Sequence, residues 1–427
     1  MQRVLNRRRL LAATTVVLTA AVVPLSACGA DQTSGAGDGP LSGTITFWHG
    51  YSNDAKEVKV LREVVIPGFQ AKHPGTTVKD VAVRDTDLRQ KVLTAATAGQ
   101  GPDVLRADIV WVPEMAKLGL LDRLDKSMSD FQTHADRVFP GPLATNKYKG
   151  GYYGLPLDTN TRIQMYNSAV LARAGVSAPP KTFEELTALG DKLAATGAQA
   201  FYEGGLGGWQ VLPWIWSAGG DITDPEHTRA TGHLNSPQSL AGVQLLYDLY
   251  TGKQISNRIT GATGGLPGDD GLAQGKYATI LDGPWMYPIF ASKYPKFKVE
   301  VAPVPAGPGG SVSVVGGEDV VVFRGSKNKA LALEFTRYLL STEAQTAFAK
   351  AGQMSVLKDL DHASINPTFG PFAQQLQTAR PRPPVPSWTR IDDLLQKKLQ
   401  AAFKGEMTLR QALDSAAADI DTLLAKD

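Results

Sequence analysis

The sequence predicts an α/β protein whose strands run largely parallel. The prediction rests on two observations. From residue 43 onward, β-rich runs alternate with capped helical runs in β-α-β-α-β order. Hydrophobic residues make up 43% of the chain, the share expected of a globular protein.

The elements follow in order. Gly43, Thr44, Ile45, Thr46, Phe47 and Trp48 alternate and read as a strand. Asn53 and Asp54 can cap the helix that follows, through Phe69. Residues 76–83 read as a second strand and 87–98 as a helix broken by Gly101-Pro102. Residues 104–107 form a short buried strand, and 112–117 a helix stopped by Gly119. A strand over 152–157 runs into Asp158, followed by a β-type run over 162–166. Thr182-Phe183-Glu184-Glu185 spells a capping box, with Thr182 and Glu185 each bonding the other's amide, and its helix runs to 195. Residues 209–218 are aromatic-rich and 239–250 helical. Strands follow at 277–281, ending at Gly283-Pro284-Trp285, and at 298–302, ending in a turn with Pro303, Pro305 and Pro308. A strand over 319–323, a helix over 328–340 and a helical tail from 390, interrupted near Gly405, complete the chain. No period of 20–50 residues repeats.

The N-terminus reads as an export signal. Arg3, Arg7, Arg8 and Arg9 precede an apolar stretch over 10–25, and small residues lead to Cys28, the only cysteine. Leu25-Ser26-Ala27-Cys28 resembles a bacterial lipobox, in which the cysteine is lipidated and becomes the mature N-terminus. Residues 1–27 are then a signal peptide. Residues 28–42 are a lipidated flexible tether, too rich in glycine and small polar residues to bury a core. Two acyl chains suffice for stable anchoring, so the protein is expected at the extracellular face of the cytoplasmic membrane. Removing four arginines takes the formal charge from +3 to −1, which does not indicate a nucleic-acid surface. With one cysteine, no disulfide within the chain supports the fold.

No catalytic motif emerges. Neither Gly-x-Ser-x-Gly, His-Glu-x-x-His nor a phosphate-cradling glycine loop is present. The six histidines lack ligand spacing, so neither metal nor cofactor is expected. What stands out is aromatic residues at strand ends: Trp48 and Tyr51 flank the end of the first strand, Asp108 and Trp111 follow the third, and Trp285 and Tyr287 follow Gly283-Pro284. Trp209, Trp214 and Trp216 cluster in one segment. Open α/β sheets bind ligands at the carboxyl ends of their strands. Flat indole faces suit the apolar faces of sugar rings.

Four segments together resemble family 1 extracellular solute-binding proteins of ABC importers, including the maltose-, trehalose- and xylo-oligosaccharide-binding proteins. They are Gly101-Pro102-Asp103-Val104 with Asp108, Trp111, Met115-Ala116 and Gly119-Leu120-Leu121; Tyr153-Gly154-Leu155-Pro156 with Met165-Tyr166-Asn167; the run from Ala278 to Trp285; and the run from Ala330 to Glu343. The match covers about 43–425, nearly all of the mature chain.

The resemblance implies a two-lobed periplasmic-binding-protein-like fold of class II type. Each lobe is a mainly parallel sheet flanked by helices, with the ligand cleft between them. Lobe 1 would comprise 43–157 and 305–352. Lobe 2 would comprise 158–304 and 353–427, including the C-terminal helices. It implies a monomeric, non-enzymatic protein that captures an oligosaccharide for ABC permease subunits. Trp48, Tyr51 and Trp214 join the candidate site from the aromatic pattern; carried over by position, Asp108 and Trp111 line the first lobe's rim and Trp285 is the main stacking platform of the second lobe. Gly316-Gly317-Glu318 bring backbone amides and a carboxylate. Asp158 and Asn160 sit at the first crossing, where maltose-binding proteins carry an acidic residue in place of Asn160. Arg380 and Arg382 match an arginine-proline segment, of which Arg382 is taken as the site residue. Two rivals stand beside this reading: a secreted glycoside hydrolase using Asp108 and Glu318, and a binding protein for a non-sugar solute such as a glycerophosphodiester.

Overall fold

The computed structural model describes residues 41–51 and 56–427. Cys28, the signal segment, the tether up to Pro40, and the helix-capping Asn53 and Asp54 lie outside the described residues.

Two sheets organise the chain. The larger has five strands in the order Thr76–Ala82, Gly43–His49, Val104–Asp108, Val315–Val322 and Leu155–Thr161. Gly43–His49 pairs in parallel with both neighbours, and Val315–Val322 runs antiparallel to the two strands flanking it. The smaller sheet has the order Glu300–Ala302, Ile163–Tyr166, Tyr277–Asp282 and Gln199–Tyr202. Only its pairing between Gln199–Tyr202 and Tyr277–Asp282 is parallel; the others are antiparallel. In each sheet one strand is reversed, Val315–Val322 in the larger and Ile163–Tyr166 in the smaller, and the strand before it in the chain belongs to the other sheet. The smaller sheet is therefore mixed, where a mainly parallel one was expected.

Strand parity sorts the core. Ile45, Phe47 and Val104 face an apolar layer with Leu61, Phe69, Leu331 and Phe335. Leu105, Ala107 and Val321 face the opposite layer with Leu88, Val92 and Met115. This is the period-2 alternation of a sheet covered on both faces. The second sheet is covered by the helices Gly208–Ser217, Trp388–Phe403 and Leu409–Leu424, through Trp214, Ile391, Leu395 and Ile420.

Local signals act as expected only in part. Asp103, read from the sequence as bonding amides of its own turn, instead ties that turn to distant segments, accepting from the Thr46 amide at 2.8 Å and the Ser326 hydroxyl at 2.6 Å. Gly119, at φ +70°, ends the helix Val112–Lys117. The box at Thr182 is half formed. Its Oγ1 accepts from the Glu185 amide at 3.2 Å, but Glu185 returns its bond to the Lys181 amide at 2.6 Å. Thr182 instead forms a parallel bridge with Ala306.

The sheets hand over later than the sequence suggested. Leu155–Thr161 lies wholly in the larger sheet, Arg162 alone separates it from Ile163–Tyr166, and the return reaches the larger sheet at Val315. The Pro303–Pro308 turn does not end the second unit, because residues beyond it stay packed there. The Gly309 amide donates to the Ser217 carbonyl, and Val314 is buried in the core with Trp214. Val356 and Leu357 still belong to the core of the larger sheet. Two passes are tied together: Thr161 Oγ1 donates to the Val314 carbonyl at 2.7 Å, and Ser313 Oγ to the Arg162 carbonyl at 2.6 Å.

His49 closes the first strand with no exposed surface, between the rings of Phe47 and Tyr51. Burial lowers its pKa to about 4, although Asp80 at 3.5 Å pulls the other way. The unfolded chain binds this proton below about 6.5, whereas the folded chain resists it until about 4. Stability is therefore lost as pH falls across that window, by up to about 3 kcal/mol from this residue. Urea melts at pH 7 and 4.5 should show a steeper acid loss for wild type than for His49→Phe. Equal slopes would contradict the assignment.

Candidate functional site

The third strand carries a charge among apolar neighbours. In Val104-Leu105-Arg106-Ala107-Asp108, Arg106 is 8% exposed. A guanidinium this deep must be paired. It donates through Nε to Asp158 at 3.2 Å, and its Nη2 lies 3.1 Å from Asp158 and 2.6 Å from Glu318. Cross-strand register makes this possible, since Glu318 stands opposite both Asp108 and Asp158. Its planar face covers the Tyr51 ring at 4.3 Å, and Tyr51 donates its hydroxyl to Gln353 at 2.9 Å. Burial holds the Glu318 carboxyl well above its usual range; Arg106 opposes this and Asp158 adds to it.

A cavity of about 300 Å³ opens over this cluster. Glu57, Arg106, Asp158, Asn160, Glu318 and Gln353 line it from the larger sheet's side, and Pro284 and Trp285 from beyond the smaller sheet's strand Tyr277–Asp282. Trp285 is 38% exposed, an unusual state for an indole. Its ring approaches Gly283 closely, where an added Cβ would come 2.1 Å from ring atoms. Trp209 lies beside it, with ring centres 6.3 Å apart and planes tilted by 34°.

Arg382 places its guanidinium 5.5 Å from the Trp209 ring, with Nη2 4.0 Å from Asp108. Asp108 itself accepts from the Val110 amide at 3.0 Å, holding the turn after its strand. Two buried polar atoms here have no protein partner: Arg382 Nε and Asn160 Oδ1. Asn160 sits against Gly316, where an added Cβ would come 2.2 Å from that oxygen and 2.7 Å from Trp209. Glycine is required there by close approach, and Gly317 by φ +126°.

The structure thus gathers Tyr51, Asp108, Asp158, Asn160, Trp285, Gly316, Gly317, Glu318 and Arg382 into one region. Three expected site residues lie elsewhere. Trp214 is fully buried against Phe183 and Phe201 and belongs to the core. Trp48 and Trp111 pack together with Val83, Leu88 and Leu105, on the layer away from Phe47 and His49. Strand parity sends Trp48 there, one residue out of step with its neighbours. Gly316 and Gly317 run inside the sheet, with the Gly317 carbonyl accepting from Ile109, so their contribution is closeness instead of free amides. Arg380 faces away, paired with Asp221 and stacked over Trp216.

Sequence reasoning missed Arg106, Glu57, Gln353 and the inward aim of Trp209. Arg106 did leave a signal, as the one cation in an apolar strand. Among the described residues no group of histidines, cysteines and carboxylates is placed to hold a metal ion, and no helix is long and apolar enough to cross a membrane.

Known proteins resemble this chain over most of its length. A binding protein of Brucella abortus is 28% identical over 380 residues, spanning 85% of this chain and 90% of its own length. The diacetylchitobiose binding protein of Streptomyces coelicolor is 23% identical over 423 residues, 94% of this chain and 95% of its own. The GacH receptor of Streptomyces glaucescens, solved unliganded and with acarbose, superposes with a TM-score of 0.75 at 25% identity, covering 91% of this chain and 99% of its own. A family model described as bacterial extracellular solute-binding protein matches residues 52–346. With more than half its length matched, this chain belongs to the bacterial extracellular solute-binding proteins.

Proposed function

We propose that this protein captures an oligosaccharide in the cavity between its two sheets and delivers it to the permease of an ABC importer. The observation that carries the proposal is one exposed indole, Trp285, sharing a cavity with the polar side chains of Glu57, Asp158, Asn160, Glu318 and Gln353. A sugar ring offers both complements, an apolar face and hydroxyls that donate and accept. The diacetylchitobiose binding protein and the acarbose-bound GacH receptor support the ligand class. Each sheet with its helices acts as a lobe, and the lobes close by hinge motion about the passes near Arg162 and Val314.

The reading is of a binder without catalysis. Of the two carboxylates a glycosidase would use here, Glu318 is paired with Arg106, and Asp108 accepts from the Val110 amide with Arg382 4.0 Å away, so both are engaged within the protein. Lipidation at Cys28 would keep the monomer at the outer face of the membrane.

The test is a thermal-shift screen over di- and oligosaccharides, followed by calorimetry and chromatography of the sugar. A cognate sugar at 100 times its Kd should add about 2.7 kcal/mol of stability and be recovered intact. No shift across the panel, or cleaved sugar, would overturn the proposal. In cells, Cys28→Ala should leave the membrane fraction; retention there at mature size would refute the anchor.

A further inference from the structure

Beside Trp209, with a guanidinium 5.9 Å from its ring, lies a buried ion pair that does not line the cavity. The Arg162 side chain is 4% exposed and that of Glu203 2%. Resting on the proposed sugar cleft, we infer that Arg162, clamped by Glu203, is a positioning residue that sets Trp209 and Trp285 at their working angle.

The argument starts at Pro213, inside the helix Gly208–Ser217. In a helix the carbonyl of Trp209 accepts from the amide four residues on, but Pro213 has no N–H to give. A buried carbonyl without a donor is costly. Arg162 Nη1 supplies the missing bond, donating to the Trp209 carbonyl at 3.1 Å and the Gln210 carbonyl at 3.4 Å. Its Nη2 donates to the Leu281 carbonyl at 2.6 Å, four residues before Trp285. One guanidinium therefore grips the backbone beneath one indole and the strand end that leads to the other.

Glu203 fixes this fork from behind. Both its oxygens accept from Nη2, at 2.8 and 2.9 Å. Lysine could not replace the arginine, because a single ammonium on a flexible stem cannot hold a planar fork. The Arg162 backbone is itself held at the handover between sheets, where its carbonyl accepts from Ser313 Oγ at 2.6 Å. The stacking surface is thus tied to the residue about which the lobes would turn.

A merely structural ion pair would change stability without changing how the indoles couple, so the decisive readout is the near-ultraviolet circular dichroism of sugar-free protein. Trp209→Phe and Trp285→Phe identify the coupled indole band. Arg162→Lys should lose that band and increase quenching of tryptophan fluorescence by acrylamide. Glu203→Gln, which keeps shape and an acceptor oxygen, should lose part of it. Pro213→Ala, which restores an N–H for the Trp209 carbonyl, should return most of the band in the Arg162→Lys background. Should Arg162→Lys fail to fold, Glu203→Gln alone decides: a wild-type band in that folded variant overturns the inference, as does a wild-type band in folded Arg162→Lys. The band needs no sugar, so it can depend on Arg162 even if the screen finds no ligand. Conversely, sugars can bind while the band ignores Arg162.

Discussion

Arg106→Met is expected to be among the most damaging single substitutions in this protein, costing about 3–5 kcal/mol of folding free energy. The guanidinium is 8% exposed and balances Asp158 and Glu318 together. Its removal leaves two buried carboxyls without a cation, and the Tyr51 ring without the charge at 4.3 Å. The loss should shrink in acid. Without Arg106 the Glu318 carboxyl, already raised by burial, loses the cation that opposes the shift, so the folded state holds that proton more tightly than the unfolded chain. The stability from that proton is present below the ordinary carboxylate range and lost as pH rises through the raised value. Urea melts from pH 4 to 8 would measure this; a cost below about 1 kcal/mol at pH 7 would show that the cluster is not a buried charge balance.

Trp285→Ala should weaken sugar binding by roughly 30- to 1,000-fold, because truncating a large anchor costs about 2–4 kcal/mol and each 1.4 kcal/mol is tenfold. The indole is pre-set against Gly283 and beside Trp209, so little conformational entropy is lost when a ring stacks on it. Trp285→Phe should lose less, since a smaller ring still stacks. With 38% of the residue exposed, the sugar-free protein should melt close to wild type. Calorimetry on both variants, with the strongest sugar from the screen, gives the answer. Wild-type affinity in Trp285→Ala would mean that Trp285 is packing and that the cleft lies elsewhere.

The fold class and most elements were legible in the sequence because they depend on local chemistry. The strand at Gly43–His49 and the stop at Gly119 need only alternation and a left-handed glycine. The handover points were less legible. A proline-rich turn at 303–308 resembles a boundary, yet whether the chain leaves a core there depends on contacts such as Gly309 with Ser217.

Within the site, Asp158, Glu318 and Trp285 could be named from the chain, but Trp48, Trp111 and Trp214 show the limit. An aromatic residue near a strand end faces the cavity or the opposite layer according to a parity of one residue. Trp214 is separated from Trp209 by five positions, which on a helix turns it toward the core. The partnership of Arg106 with two carboxylates more than 50 and 200 residues away arises from strand register, which no local pattern encodes.

The strand Val315–Val322 lies between Val104–Asp108 and Leu155–Thr161, and this order has a consequence for biogenesis. Those two flanking strands are synthesised well over a hundred residues earlier, about 10–30 s at roughly 5–20 residues per second. Until then each presents a bare edge, a template for pairing with another chain. The larger sheet cannot close before residue 322 of 427 has emerged. A nascent chain bound for the outside of the cell is thereby kept open, in a threadable and aggregation-exposed state, for most of its synthesis. Any truncation that ends before Val315 should yield an insoluble fragment instead of a smaller binding protein.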